Sequence, residues 1–520
     1  MKNWDSQERS AITPQFTLNL ASTAGDLPQL EQALLKMTAD NPPNRTMLTS
    51  TYYDTASGSL DHDGLALQVR KQKGRYTQIV ARTDVKAEEP FAREWEDVIA
   101  GERPDLRAPN SSAHLPRALD QAELRARFTT TVERTSCMLN PDTSTEILGA
   151  VDKGEIRTVE GEHTEPIYEI ELQLKRGDPA ALYGTGLRLL EIAPLRIELR
   201  SKPERGCRLL ESTTAKPQAQ HSFPLVLEPG MSVEESLRKI GLGGLRLFLR
   251  NELAALAGVS DGVHQMRVAV RRLRSAVATM KRMLPQEQYE WVSQELRWLA
   301  NILAAARNWD VLSSSLLTPV RSVLPNDQDL VELCCICERE RQSAYKNADA
   351  AVRSRQYTAA LLKLSLWFAS CSWRNQPVSE QSALLMAPID AVAPSLIGRR
   401  YKKVKKGADR FDELTPQQRH EFRIAVKKLR YTVEFLKDLF DSNRVVSFLQ
   451  RLKPLQDDVG YTNDVRVAHK LLADLQVSKD AVPVARAAGI VLGWHDRGLA
   501  DHDRKLRKHI GRLRELRPFW

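Results

Sequence analysis

Between residues 65 and 175 the chain alternates apolar and polar positions. The stretches LALQVRKQ (65–72), YTQIVART (76–83) and IYEIELQLK (167–175) keep the period of two that sends successive side chains to opposite faces, so they predict half-exposed strands. A polar break, GERPDLRAPNSSAHLPRALD (101–120), predicts a loop leading into a helix, and strand signals return through 127–200. ESTTAKPQAQHSFPLVLEPG (211–230) is rich in Pro, Gln, Ser and Thr and reads as a linker. From about residue 231 the period changes to 3.6, which predicts a succession of amphipathic helices to the C-terminus. The pattern therefore predicts an α+β multidomain chain: a mostly β domain over 1–210, a linker over 211–230 and an all-α domain over 231–520.

One helix is written twice. VHQMRVAVRRLR (263–274) returns as RHEFRIAVKKLR (419–430), with the two histidines 156 positions apart. At about 100° per residue, His264, Arg267, Arg271 and Arg274 fall within a stripe roughly 80° wide and about 15 Å long. Met266, Val270, Leu273 and Val277 fall on the opposite, apolar side. His420, Arg423, Lys427 and Arg430 make the same stripe in the second copy, with Phe422, Val426, Leu429 and Val433 behind it. Each copy continues to a leucine 35 residues after its histidine (Leu299, Leu455) and then to a polar turn with an acid, Asp310 or Asp464. This is a tandem duplication of a helical unit. Stacked cations on one helix face repel, and a solvated face would interleave glutamates. The stripe positions hold none, which points to an anion as the partner. Two facing stripes would suit an extended phosphate chain, and histidine can add charge by taking up a proton beside a polyanion.

Charge sharpens this picture. Residues 221–520 carry 48 Lys and Arg against 33 Asp and Glu, whereas residues 1–220 carry 28 against 33. The helical half is the basic one, as for a polyanionic partner. Further cations lie in RRYKKVKK (399–406), at Arg246 and Arg250, and in HDRGLADHDRKLRKH (495–509), where His495, His502 and His509 share a face suited to the surface or to phosphate. No run of about 18 apolar residues predicts a membrane span, and the polar start MKNWDSQERS shows no secretory h-region. Six cysteines make no disulfide scaffold; Cys334 and Cys337 read as small buried residues. A cytoplasmic protein is expected.

HQMRVAVRRLR and HEFRIAVKKLR, with NWDVL, a Leu-Gln-Asp segment in LKPLQDDVG and the ending PFW, resemble the CHAD domain, the conserved histidine α-helical domain, over about 230–520. The resemblance implies two pseudo-symmetric four-helix bundles that bind inorganic polyphosphate in a basic central cavity. It implies His264, Arg267, Arg271 and Arg274 from one bundle and His420, Arg423, Lys427 and Arg430 from the other. Arg250, Arg272, Lys428, Lys402, Lys405 and Lys406 stand in a second rank. Binding of this kind needs no cofactor, and the family's association with polyphosphate granules suggests where it would act.

In the first half, TYYDT (51–55), GLALQVRKQKG (64–74), REWE (93–96), ERT (133–135), VDKGEI (151–156), YEIELQLK (168–175) and SKPERG (201–206) come in an order that resembles the CYTH family over about 10–210. That implies a closed antiparallel β tunnel in which Lys and Arg hold a triphosphate and Glu holds Mg²⁺ or Mn²⁺. Glu169 and Glu171 share a strand face, as a hard-cation site requires. The sequence departs from the family elsewhere. The opening Glu-x-Glu-x-Lys corresponds to Gln15, Thr17 and Asn19, a third Glu is Gln173, and a strand lysine is Ala81. Glu96, Asp152, Glu169 and Glu171 remain as candidate metal ligands, and Arg70, Lys73, Arg134, Lys202 and Arg205 as candidate anion ligands. The expectation is a polyphosphate-binding protein with a weak or inactive tunnel. The alternatives are a metal-dependent inorganic triphosphatase or polyphosphatase, using Mg²⁺ or Mn²⁺, and a nucleic-acid binder. The last is disfavoured because the stripes lack interleaved aromatics.

Overall fold

The computed structural model of the chain describes residues 16–520 except 39–41, 83–93, 118, 121–122, 212–215, 222–224 and 476–481, and omits the side chains of 416, 456–459 and 500–503. Gln15, Arg93, the His502 side chain and most of the Leu-Gln-Asp segment thus lie outside the described residues. The chain forms two units, Met1–Ala215 and Lys216–Trp520. The second includes most of the expected linker. Gln220 and Asn251 exchange two hydrogen bonds of 2.8 and 3.0 Å, Leu227 is buried, and the Gly230 amide donates to Asp390 Oδ1.

The first unit is a nine-stranded antiparallel sheet in the order β5-β4-β3-β2-β6-β7-β8-β1-β9. Its strands are β1 Thr17–Ala21, β2 Asn44–Asp54, β3 Leu65–Gln72, β4 Arg75–Arg82, β5 Glu94–Ile99, β6 Arg125–Asp142, β7 Thr145–Thr158, β8 Thr164–Arg176 and β9 Arg196–Ile197. The alternating stretches fall on β3, β4 and β8 as expected. Each alternation serves two interiors. Leu18, Leu20, Val151, Ile170 and Leu172 point outward, where helices Leu27–Lys36 and Ala180–Ile192 cover part of the sheet. Register places Arg70, Arg134, Asp152, Glu169, Glu171, Asn19 and Thr17 together on the inner face. The sheet curls into a tunnel, so that Glu94 on edge strand β5 feels the charges of Arg134 on β6 and Glu171 on β8.

Helix Lys202–Leu210 plugs one end of the lumen. Ser201 and Glu204 form a capping box at its start. Cys207, Leu209 and Leu210 pack on Tyr52, Phe128, Val132, Ile156 and Ile167. Gly206 permits this close seat, because a Cβ there would stand 2.1 Å from Phe128 Cε2. Gly206→Ala should therefore destabilise the first unit by about 1–3 kcal/mol, the usual cost of overpacking. A calorimetric transition at an unchanged temperature would show that the helix shifts freely.

The second unit is all helical. Helices Val233–Arg250, Ser260–Thr279, Gln286–Ile302 and Arg355–Ala369 pack around one core, and Ile389–Asp409, Pro416–Leu436, Ser442–Asp474 and Val482–Arg514 around another. The duplicated helices are Ser260–Thr279 and Pro416–Leu436, and their expected core faces are buried, from Met266 to Val277 and from Phe422 to Val433. Asp310 and Asp464 were expected in turns, but both lie inside helices. Asp310 can be buried there because it accepts from Tyr345 Oη at 2.8 Å and pairs with Arg341 at 3.3 Å.

Candidate functional site

The two stripe helices touch each other. Thr279 Oγ1 and Thr432 Oγ1 are 3.2 Å apart, Arg272 reaches Glu434 across the contact at 3.4 Å, and the Arg271 guanidinium lies 5.4 Å from the Tyr431 ring centroid. The charges of Arg271 and Arg267 on the first helix act on Lys427 of the second. Among the described residues, Arg267, Arg271, Arg274, Arg423 and Lys427 form no ion pair. The Arg267 guanidinium donates to the Ala300 carbonyl, at 2.9 Å. Arg271 Nε and the neighbouring Tyr431 Oη are buried without a hydrogen-bond partner, a condition that costs roughly 1–3 kcal/mol per group.

The titration behaviour follows from crowding like charges away from water. Burial, then Arg423 and Arg271, lowers Lys427 to about 7 against the modest pull of Asp464. Burial with Arg271, Arg307 and Arg274 takes Arg267 to about 10. Burial with Arg307 and Arg271 takes His264 to about 4. His420 and Arg274 move downward for the same reason, and burial lowers Arg423 against the opposing pull of Asp464. All of these groups would be relieved by an anion.

The remaining expected cations divide. Arg430 pairs with Glu434 at 2.7 Å, and Arg272 shares that acid, so these two leave the uncompensated set. Lys428 stays, lowered by burial and then by Arg400 and Lys403. Lys402, Lys405 and Lys406 are exposed, whereas Arg400, on the same helix, is half-buried and bonds Thr279 at 3.3 Å. A run of six cations in 399–406 marks every face of its helix equally, and packing alone brings Arg400 to the stripe contact. Arg250 is the last residue of helix Val233–Arg250. Arg307, Arg297 and Arg466, which no repeat singled out, act on His264, Arg274 and His420. His495 is not a surface ligand: it is buried between Tyr461 Oη (2.7 Å) and the Leu316 carbonyl (2.9 Å).

The tunnel presents a different balance. Arg134 grips Asp152 with two bonds of 2.7 Å and Glu171 with bonds of 3.1 and 3.4 Å. Lys202 Nζ contacts Asp152 Oδ2 at 2.9 Å, Glu169 Oε1 more closely, and Glu171 Oε2 at 3.9 Å. Arg205 holds Glu169 at 2.9 Å and Glu165 at 2.7 Å. Asp152 is thereby kept down at about 2 despite its burial, and Arg134 and Lys202 are both pushed upward. Lys73 sits exposed in the β3–β4 turn with a φ of 47°, outside this cluster. Arg70 acts on Glu94 and on Tyr52 of the neighbouring strand, and Glu96 stays exposed on β5.

Comparison with known families matches the CYTH domain to residues 19–206 and the CHAD domain to residues 241–473. The chain is a CYTH–CHAD protein. The CHAD domain from the plant Ricinus communis is 30% identical, with a TM-score of 0.49, and the match covers 58% of this chain and 98% of that one. A putative adenylyl cyclase from Hippeastrum, described as having a dominant triphosphatase activity, is 19% identical with a TM-score of 0.29 over 38% of this chain and 96% of its own. An uncharacterized protein of Mycobacterium tuberculosis is 29% identical over 193 residues, which are 34% of this chain and 35% of that protein's length. The CYTH–CHAD protein thus spans about a third of that curated relative.

CYTH domains are generally metal-dependent triphosphatases, so the fit of a metal to this CYTH–CHAD protein can be tested on its tunnel. The acids that would hold it, Asp152, Glu169 and Glu171, offer six oxygens, and each already meets a cation. Neighbouring β1 contributes only Thr17 opposite Gln173 and Asn19 opposite Glu171. Among the described residues no cluster of three or more His, Cys, Asp or Glu is arranged to hold a metal. The metal does not fit as the side chains stand. No helix among the described residues is long and apolar enough to cross a membrane.

Proposed function

We propose that this CYTH–CHAD protein binds inorganic polyphosphate along the cleft between its two stripe helices, with a CYTH domain that is weakly active or inactive as a hydrolase. One observation carries this reading. Arg267, Arg271, Arg274, Arg423 and Lys427 converge from two helices with no carboxylate in ion-pair range among the described residues. A cluster left uncompensated and half-buried is unfavourable by itself, and an extended chain of phosphates would neutralise it at regular spacing. His264 and His420 would join at the stripe ends, and Lys428 and Arg307 at its flanks. Such binding is largely electrostatic, so it should weaken with salt and strengthen with chain length. Polyphosphate granules are the setting in which a cytoplasmic protein of this kind would work.

Nucleic acid is a weaker fit, because Tyr431, between the stripes, is buried beneath Arg271 and offers no stacking face. Calorimetric titration with long-chain polyphosphate and with RNA at equal phosphate concentration, at ionic strength of about 150 mM, tests the reading. Tight polyphosphate binding, weak RNA binding and loss of signal in a His264→Ala, Arg267→Ala, His420→Ala, Arg423→Ala variant are expected. Equal binding of the two polymers would reduce the stripes to a general polyanion surface.

A further inference from the structure

The tunnel carboxylates are not idle remnants, because the plug helix delivers a cation to them. Lys202 is the first residue of that helix, and the capping box at Ser201 and Glu204 together with the Gly206–Phe128 contact fix where it begins. Its ammonium sits among Asp152 Oδ2, Glu169 Oε1 and Glu171 Oε2, which come from two adjacent strands and point to one spot in the lumen. Arg134 and Arg205 close the remaining oxygens. These three acids meet three bases, of which Arg205 also takes Glu165 at 2.7 Å. Asn19 Oδ1, in register with Glu171, is a buried acceptor without a partner facing the same region.

We infer that Lys202 is a built-in counterion that takes the place of a divalent cation, so that the tunnel is held together without metal and a latent hard-cation site lies beneath the lysine. The site comprises oxygens of Asp152, Glu169, Glu171 and Asn19, a set suited to Mg²⁺ or Mn²⁺ by its hardness. While the ammonium is present, an entering dication would have to join oxygens that each already meet a cation and displace a lysine anchored by its own helix. Removing the ammonium while keeping the apolar stem leaves two buried carboxylates short of charge, a state that a dication relieves.

The test uses the full chain and Mn²⁺ itself, followed by electron paramagnetic resonance and by thermal unfolding. The unaltered protein should bind no Mn²⁺ at the tunnel, and 1 mM Mn²⁺ (a concentration on the order of those used to saturate sites of this class) should not move its unfolding midpoint. Lys202→Met should unfold at a lower temperature in chelator, recover on addition of Mn²⁺, and bind at least tenfold more tightly than the parent. Adding Asp152→Asn to that variant should abolish the recovery. Mn²⁺ binding by the unaltered protein that Glu171→Gln removes would overturn the inference, as would a folded Lys202→Met protein that ignores Mn²⁺. Should Lys202→Met fail to fold even with Mn²⁺, the titrations of the unaltered and Glu171→Gln proteins still decide the matter.

Discussion

Replacing Arg271 and Lys427 together by methionine should weaken long-chain polyphosphate binding by about two to four orders of magnitude while raising the thermal midpoint of the free protein. The first effect follows from losing two charged donors, each worth roughly 1.5–3 kcal/mol when bonded to an anion. The second follows from the same residues seen without ligand. Arg271 keeps a buried Nε with no partner, and Lys427 stands near Arg423, Arg271 and Arg267. Removing them takes away repulsion and retains apolar contact, so the midpoint should rise by roughly 2 °C for about 1 kcal/mol gained. Function maintained at the expense of stability is the ordinary signature of a binding site. Titration calorimetry and a melting curve on one preparation separate the cases. A variant that loses both affinity and stability would show that the stripe is structural, and one that keeps its affinity would refute the cleft as the binding site.

The stripes were legible in sequence because helical geometry converts spacing directly into a face, and the duplication showed that the face matters. The strands were legible for the parallel reason that a period of two sorts side chains between lumen and outer layer. What escaped were relations between elements. Arg307, Arg297 and Arg400 join the cation cluster from helices other than the two that carry the stripes. Glu434, one turn beyond the stripe, takes Arg430 and Arg272 out of the cluster. His495 shares a helix face with other histidines, yet the packing of Tyr461 and Leu316 against it decides its role. In the tunnel, alternation placed acids and bases on one face but could not say that they satisfy each other. That pairing depends on where helix Lys202–Leu210 enters, which Gly206 and Phe128 set at long range.

Binding and stability should respond to pH in opposite directions, and the sign follows from the depressed bases. In the free protein Lys427 titrates at about 7 and His264 at about 4, below their ordinary values of about 10.4 and 6.5. The unfolded chain therefore holds more protons than the folded one between pH 7 and about 10.4, on account of the lysine, and between pH 4 and about 6.5, on account of the histidine. Stability of the free protein rises with pH through both windows. A bound polyanion restores the protonated forms and lifts both pKa values. Affinity from Lys427 is thus fully present below pH 7 and falls as pH rises above it, by up to about tenfold per unit. Affinity from His264 is gained as pH falls towards 4. Near pH 8 binding should take up close to one proton, seen as a calorimetric enthalpy that changes with the ionisation enthalpy of the buffer. Lys427→Met should abolish that uptake and flatten the affinity profile above pH 7, leaving the acid-side gain from His264 in place. An enthalpy independent of buffer at pH 8 would mean that Lys427 is already charged in the free cleft, and the crowding of cations there would have to be relieved by some other means.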